Sequence, residues 1–142
     1  MPSNFLYDEF AVLLIDGSAF DWVNDTVMAS LYSDAYTPAE ADVYTGISAF
    51  LVGQETMANR SVDATGIAAG DGMTFLSVTF PGVEEFAGLV LYRDDGGGNY
   101  TMIMNISQGT DAFDGLEGFG VAMAGSTVII TPNATNNGWF RA

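Results

Sequence analysis

Residues 87–107 read AGLVLYRDDGGGNYTMIMNIS. Leu89, Val90, Leu91 and Tyr92 form an unbroken apolar run, and Met102, Met104 and Ile106 alternate with Thr101, Ile103 and Asn105. Between them Arg93 to Tyr100 holds three glycines and two aspartates. A strand that is apolar on both faces has to be covered on both faces, so these two arms are expected at the centre of a sheet or under a partner. Gly96, Gly97 and Gly98 supply positive φ at low steric cost, which suits a tight hairpin bend. A phosphate-cradling loop also uses glycines, but it runs into a helix and usually a lysine. Here the next segment is a strand, and Asp94 and Asp95 repel phosphate. The tip is therefore expected to be a plain turn.

Working outward, the same β character recurs. Thr26 to Tyr32 alternates, with turn chemistry at Ser33-Asp34 and a stop at Pro38. Residues 38–50 suit a loop with a short helical turn. Short strands are expected over Glu55 to Val62, Gly66 to Ala69 and Met73 to Phe80, then, after a turn at Pro81-Gly82, Val83 to Phe86 leads into the hairpin, and strands are expected again over Val121 to Met123, Ser126 to Thr131 and Gly138 to Arg141. Residues 108–120 suit a loop. Asn4 to Ile15 spaces Phe5, Leu6, Phe10, Leu13 and Leu14 along a helical face, with Ser3 as N-cap, while Ala11 to Ile15 also admits a β reading. Seven or eight short strands with glycine-rich turns predict an all-β chain, a β-sandwich or jelly-roll-like fold with a short N-terminal helical segment. The length of 142 residues suits one domain, 1–142. A chain of this size hides roughly 68–70% of its unfolded surface, enough for a core without staples.

Composition narrows the chemistry. The sequence has no Cys, no His and no Lys, and its 18 acidic against 3 basic residues give a net charge of −15. Thiolate nucleophiles, imidazole bases, His-ligated metals and Schiff-base lysines are excluded. The negative field repels phosphate backbones, so nucleic acid is not an expected partner. The longest apolar stretch, Phe10 to Ile15, is about a third of what a bilayer span needs, and no basic segment precedes it; neither membrane insertion nor a signal peptide is expected. Asp111, Asp114 and Glu117 lie three apart but miss the EF-hand pattern, so a solvated acidic loop is the expectation. Convergence of Asp63, Asp71, Asp94 and Asp95 on a metal stays open, and no cofactor is called for. Paired carboxylates for glycoside hydrolysis arise by chance in any chain this acidic. Five N-x-S/T sequons open at Asn24, Asn59, Asn99, Asn105 and Asn133, and are expected to be fortuitous. The ten Phe, six Tyr and two Trp are expected mostly in the core. Tyr32, Tyr36, Tyr44 and Trp139 are the aromatics that would instead anchor an interface.

The order of short segments carries a resemblance. FLYDEF (5–10), GSAFDWVNDTVMASL (17–31), YTP (36–38), ADVYTGI (41–47), AAGDGMTFLSV (68–78), AGLVLYRDDG (87–96), STVIITP (126–132) and NGWF (137–140) together resemble a group of small virion proteins of tailed bacteriophages, over nearly the whole chain. The resemblance implies a structural role without catalysis: a cement or decoration protein on the outer surface of the shell formed by the major capsid protein, or a tail or fibre component that recognises a host glycan. It implies a dimer or trimer of the chain, located in a virion assembled in the host cytoplasm. On that reading residues 1–8 and 133–142 are expected to be arms that reach neighbours. Arg60, Arg93 and Arg141, the only cations, are the expected charge-paired contacts.

Overall fold

The computed structural model describes residues 5–16, 20–62, 67–76, 78, 86–107, 120–124, 127–131 and 138–141. The glycine-tipped hairpin consists of two long strands, β7 (Phe86–Gly96) and β8 (Asn99–Ser107). Before them come β1 (Phe5–Leu6), α1 (Asp8–Asp16), β2 (Val27–Ser33), α2 (Tyr44–Ile47), a 3-10 turn (Ser48–Phe50), β3 (Leu51–Thr56), β4 (Ser61–Val62), β5 (Ile67–Ala69) and β6 (Met73–Phe75). After them come β9 (Gly120–Ala124), β10 (Thr127–Thr131) and β11 (Gly138–Arg141). The chain is all-β, with eleven strands among the described residues where seven or eight were expected. The difference lies in strands of two or three residues, too short to show a period in sequence.

Five strands form the main sheet in the order β1-β8-β7-β2-β3, so β7 is central, as its apolar run requires. Two three-stranded sheets follow the orders β6-β10-β9 and β11-β5-β4, and all pairings are antiparallel. The hairpin closes in two residues. Gly96 pairs with Asn99, and Gly97 and Gly98 take φ of 63° and 82°. Positive φ at both central positions is the type I′ turn, whose twist matches that of the flanking strands. The tip is a bend and nothing more.

The two faces of the main sheet bury different chemistry. On one, Val27, Ala29 and Leu31 of β2, Leu89 and Leu91 of β7 and Met104 and Ile106 of β8 meet Phe10, Trp22, Ala68, Met73, Phe75, Val128, Ile130 and Trp139. The small sheets therefore cover this face in the layering of a sandwich. On the other, Tyr32, Val90, Tyr92 and Met102 meet Phe5, Tyr7, Tyr36 and Ile47. A bulge sorts β8 between the faces. Leu91 lies opposite Met104 and Tyr92 opposite Met102, which leaves Ile103 as the extra residue.

The N-terminal helix starts later than its periodicity predicts. Phe5 and Leu6 pair with Asn105 and Met104 of β8, and the Tyr7 N–H reaches the Ile103 carbonyl at 2.9 Å. The open edge of β8 offers these residues backbone hydrogen bonds, which outweighs local helical spacing. Only then does the helix begin, with Phe10 and Ala11 donating back to the Tyr7 carbonyl, and Asp8 and Glu9 lying at its positive end. Residues 11–15 are helical, which closes the β alternative. Among the described residues no helix is long and apolar enough to cross a membrane.

Candidate interface site

All six tyrosines of the chain lie in or against the second core cluster, on one face of the main sheet. β2 and β7 present Tyr32 and Tyr92 there, β8 presents Tyr100, and the loop after β2, the start of α2 and the residue before α1 bring Tyr36, Tyr44 and Tyr7. Their hydroxyls are tied to one another and to the frame. Tyr7 and Tyr36 share a hydrogen bond of 3.0 Å, and Tyr36 donates to Asp42 Oδ2 at 2.7 Å. Asp42 Oδ2 also accepts the Ala39 N–H at 2.9 Å, which fixes the loop that holds Tyr36. Tyr32 donates to Asn105 Oδ1 at 2.5 Å. The Tyr92 hydroxyl bonds Ser30 Oγ at 2.6 Å and accepts from Gln54 Nε2 at 3.0 Å. The rings pack edge-on or tilted, with centroids 5.1 Å apart for Tyr32 and Tyr36 and 4.4 Å for Tyr44 and Tyr100.

Burial sets the acidity of these phenols. Desolvation raises Tyr7 and Tyr36 far above the usual tyrosine value, aided for Tyr36 by the neighbouring Asp42 carboxylate. It pushes Tyr92 up to about 12, against the lowering effect of its bonds from Ser30 and Gln54, and raises Tyr44 as well. Protonated and hydrogen-bonded, these groups act as a rigid polar lattice inside an aromatic layer, not as nucleophiles or bases.

Three of the candidate interface aromatics are thereby corrected to core residues. Tyr32 and Tyr36 are buried in this lattice. Trp139 is fully buried in the first cluster, where its indole donates to the Gly70 carbonyl at 3.1 Å. Tyr44 alone of the four is half-buried at the rim, beside Tyr100. Trp22, which the sequence reading did not single out, is the partner of Trp139: its indole donates to the adjacent Ala69 carbonyl at 2.9 Å. Two indoles thus hold consecutive carbonyls at the end of β5.

The described arginines are likewise committed within the chain. Arg60 Nε and Nη1 donate to the carbonyls of Trp22 and Met57, each at 2.6 Å, and Nη2 donates to those of Val23 and Asp25. It staples the loop before β2 to the turn before β4. Arg93 pairs with Asp95 at 2.6 Å and Asp25 at 3.7 Å, and its guanidinium lies 5.8 Å from the Phe20 ring centroid. The backbone of Arg141 pairs with Ile67 of β5, and its side chain lies outside the described residues. Both expected arms are held at home where they are described: Phe5 and Leu6 on β8, Gly138 to Arg141 on β5.

The described acidic residues of the candidate metal set are engaged one by one. Asp94 Oδ1 accepts the Gly96 N–H at 2.8 Å, Asp95 takes Arg93 and Thr101 Oγ1, and Asp71 takes Asn59 Nδ2 at 2.7 Å. Among the described residues no group of three or more acidic side chains is placed to hold a metal ion. Asp63, Asp111, Asp114 and Glu117 lie outside the described residues. Of the sequons, Asn105 is wholly buried and bonded to Tyr32, while Asn133 lies outside the described residues. Compared with protein-family models, with curated proteins and with solved structures, the chain finds no match.

Proposed function

We propose that this chain is a non-enzymatic structural protein of a tailed-bacteriophage virion, a cement or decoration protein that binds the outer surface of the major capsid protein shell as a homo-oligomer. The observation that carries the reading is the commitment of polar side chains to the frame. The buried phenols are hydrogen-bonded and held protonated, and Arg60 and Arg93 are spent on carbonyls and carboxylates of their own chain. What is left is a stiff β body with a strongly acidic surface, suited to being positioned and not to transforming a bound molecule. The order of segments shared with small phage virion proteins supports the same role. Many copies, each burying a modest area at junctions between capsomers, sum to a large resistance to internal pressure.

The test is a particle without the protein. Such particles are expected to lose resistance to heat and low salt, and to regain it when the purified chain is added back. Unchanged resistance sinks the cement reading. Deleting residues 133–142 is a poorer test, because it removes Trp139 from the core. The second reading, a tail or fibre component that binds a host glycan, draws on Tyr44 and Tyr100, the tyrosines left half-buried at the rim of their cluster. Antibody label over the head favours the first reading and label at the tail the second.

A further inference from the structure

Tyr44 and Tyr100 stand at the rim of the tyrosine cluster, and their rings are placed for a chemistry that the buried members are denied. Tyr44 opens α2, and Tyr100 lies in β8 opposite Asp94 of β7. Their ring centroids are 4.4 Å apart at an interplanar angle of 45°, against 5.1 Å from Tyr44 to Tyr92 and 5.2 Å from Tyr92 to Tyr100. Two phenol rings joined by a single carbon–carbon bond have nearly this centroid separation. Both rings are half-buried, while Tyr92 beside them is wholly buried with its hydroxyl bonded to Ser30 and Gln54. Tyr44 and Tyr100 are therefore the pair that a reagent in water can reach.

The rest of the chain directs oxidation to these rings. There is no cysteine, the side chain that ordinarily takes oxidation first and that would supply a disulfide. There is no lysine, so an amide cross-link from a side-chain amine is excluded as well. The competing indoles are withdrawn, Trp22 being 5% and Trp139 0% exposed. A phenol that loses an electron also gives up its proton, which needs an acceptor. Half-buried phenols pass it to water. The Tyr92 hydroxyl is enclosed beside a neutral hydroxyl and a neutral amide, neither of them a base.

We propose that Tyr44 and Tyr100 are a cross-linking pair, joined as an intrachain dityrosine when the protein meets a one-electron oxidant such as a peroxidase acting with hydrogen peroxide. Each phenol loses one electron and its hydroxyl proton. The two radicals couple through ring carbons ortho to the oxygens, and the hydrogens on those carbons move to the oxygens and restore the phenols. The two electrons and two protons released reduce one peroxide to two waters. A pair already in contact reacts at an effective concentration that no encounter between copies matches, and a charge of −15 on each copy slows such encounters. The bond ties α2 to the central hairpin and closes a long loop in the unfolded chain, so it stabilises the fold. The cross-link does not depend on the shell reading.

The full-length chain, dilute and treated with peroxidase and hydrogen peroxide, tests this. Dityrosine fluorescence is expected, in a monomer lighter by two hydrogens. After unfolding, trypsin cuts only after the three arginines, so Tyr92 falls in residues 61–93 and Tyr100 is the one tyrosine of residues 94–141. Mass spectrometry should find residues 94–141 joined to residues 1–60. The melting temperature should rise by roughly 10 °C, as for a covalent staple closing a loop of this length. Tyr44→Phe and Tyr100→Phe keep the rings and remove the reacting phenols; each should cut the intrachain product at least about tenfold. Tyr7→Phe, at a wholly buried ring, should leave it unchanged, and near-UV circular dichroism checks that each variant is folded. Absence of dityrosine under conditions that couple free tyrosine, a link into residues 61–93, a product confined to dimers, or a yield indifferent to Tyr44→Phe overturns the assignment.

Discussion

Gly88 has no room for a methyl group. It lies opposite Tyr32 across β2 and β7, and a Cβ there would meet the Tyr32 ring and hydroxyl and sit 2.7 Å from the Ile106 carbonyl. Tyr32 cannot retreat, because its hydroxyl is bonded to Asn105 and its ring packs on Tyr36. Gly88→Ala is expected to cost about 1–3 kcal/mol, the usual range for overpacking a well-filled core. Urea unfolding would show it as a lower midpoint at unchanged slope. Glu9 makes a different case. One of its oxygens accepts the Met102 N–H, while Oε1 is buried without a hydrogen-bond partner among the described residues. Burial raises its pKa above the ordinary carboxylate value of 4.5, with Asp95 adding to the effect. The folded state therefore holds the proton more tightly than the unfolded one, and stability falls as pH rises from 4.5 through the folded value. Glu9→Gln keeps an acceptor for Met102 and removes the titration. The variant is expected to be the more stable at neutral pH, with the gap closing below pH 4.5; thermal unfolding over a pH series reads this directly. A wild type at least as stable as the variant at pH 7 would contradict it.

At the scale of elements, the hairpin was legible because two independent signals agreed. Its arms are apolar on both faces and its tip is three glycines, so the sequence alone puts β7 at the centre of a sheet or under a partner and makes the loop a turn. The structure adds that the turn needs positive φ at both Gly97 and Gly98. Replacing Gly98 with Val should cost about 1–2 kcal/mol, the penalty for a side chain in left-handed backbone. Gly97→Asn should cost less, since Asn tolerates that region. Equal costs measured by chemical denaturation would contradict the type I′ assignment. β1 was not legible, because Phe5 and Leu6 fit a helical period and only the distant edge of β8 makes them a strand. The candidate site was legible as a set of aromatics but not as a place. Tyr and Trp have an apolar body and a polar tip, so composition alone does not separate a core position with an internal partner from an interface anchor. For Trp139 the deciding fact is the Gly70 carbonyl, sixty-nine residues away. The internal partners of Arg60 and Arg93 were not legible for a related reason: the carbonyls and carboxylates that hold them come mostly from distant parts of the chain.

The whole molecule carries a cost that its parts do not show. With Arg60 and Arg93 tied internally, the 3 basic residues leave 18 acidic ones unbalanced, and a net charge of −15 opposes compaction. The core has to outweigh that repulsion, and it does so by burying both faces of the main sheet within one chain. Salt should relieve the repulsion without touching the core. The melting temperature of the dilute protein is therefore expected to rise between low and physiological ionic strength, then level off as the screening length falls below the spacing of surface charges. A flat or falling curve would mean that the internal pairs of Arg93 with Asp25 and Asp95, which salt weakens, matter more to the fold than the surplus of negative charge around them.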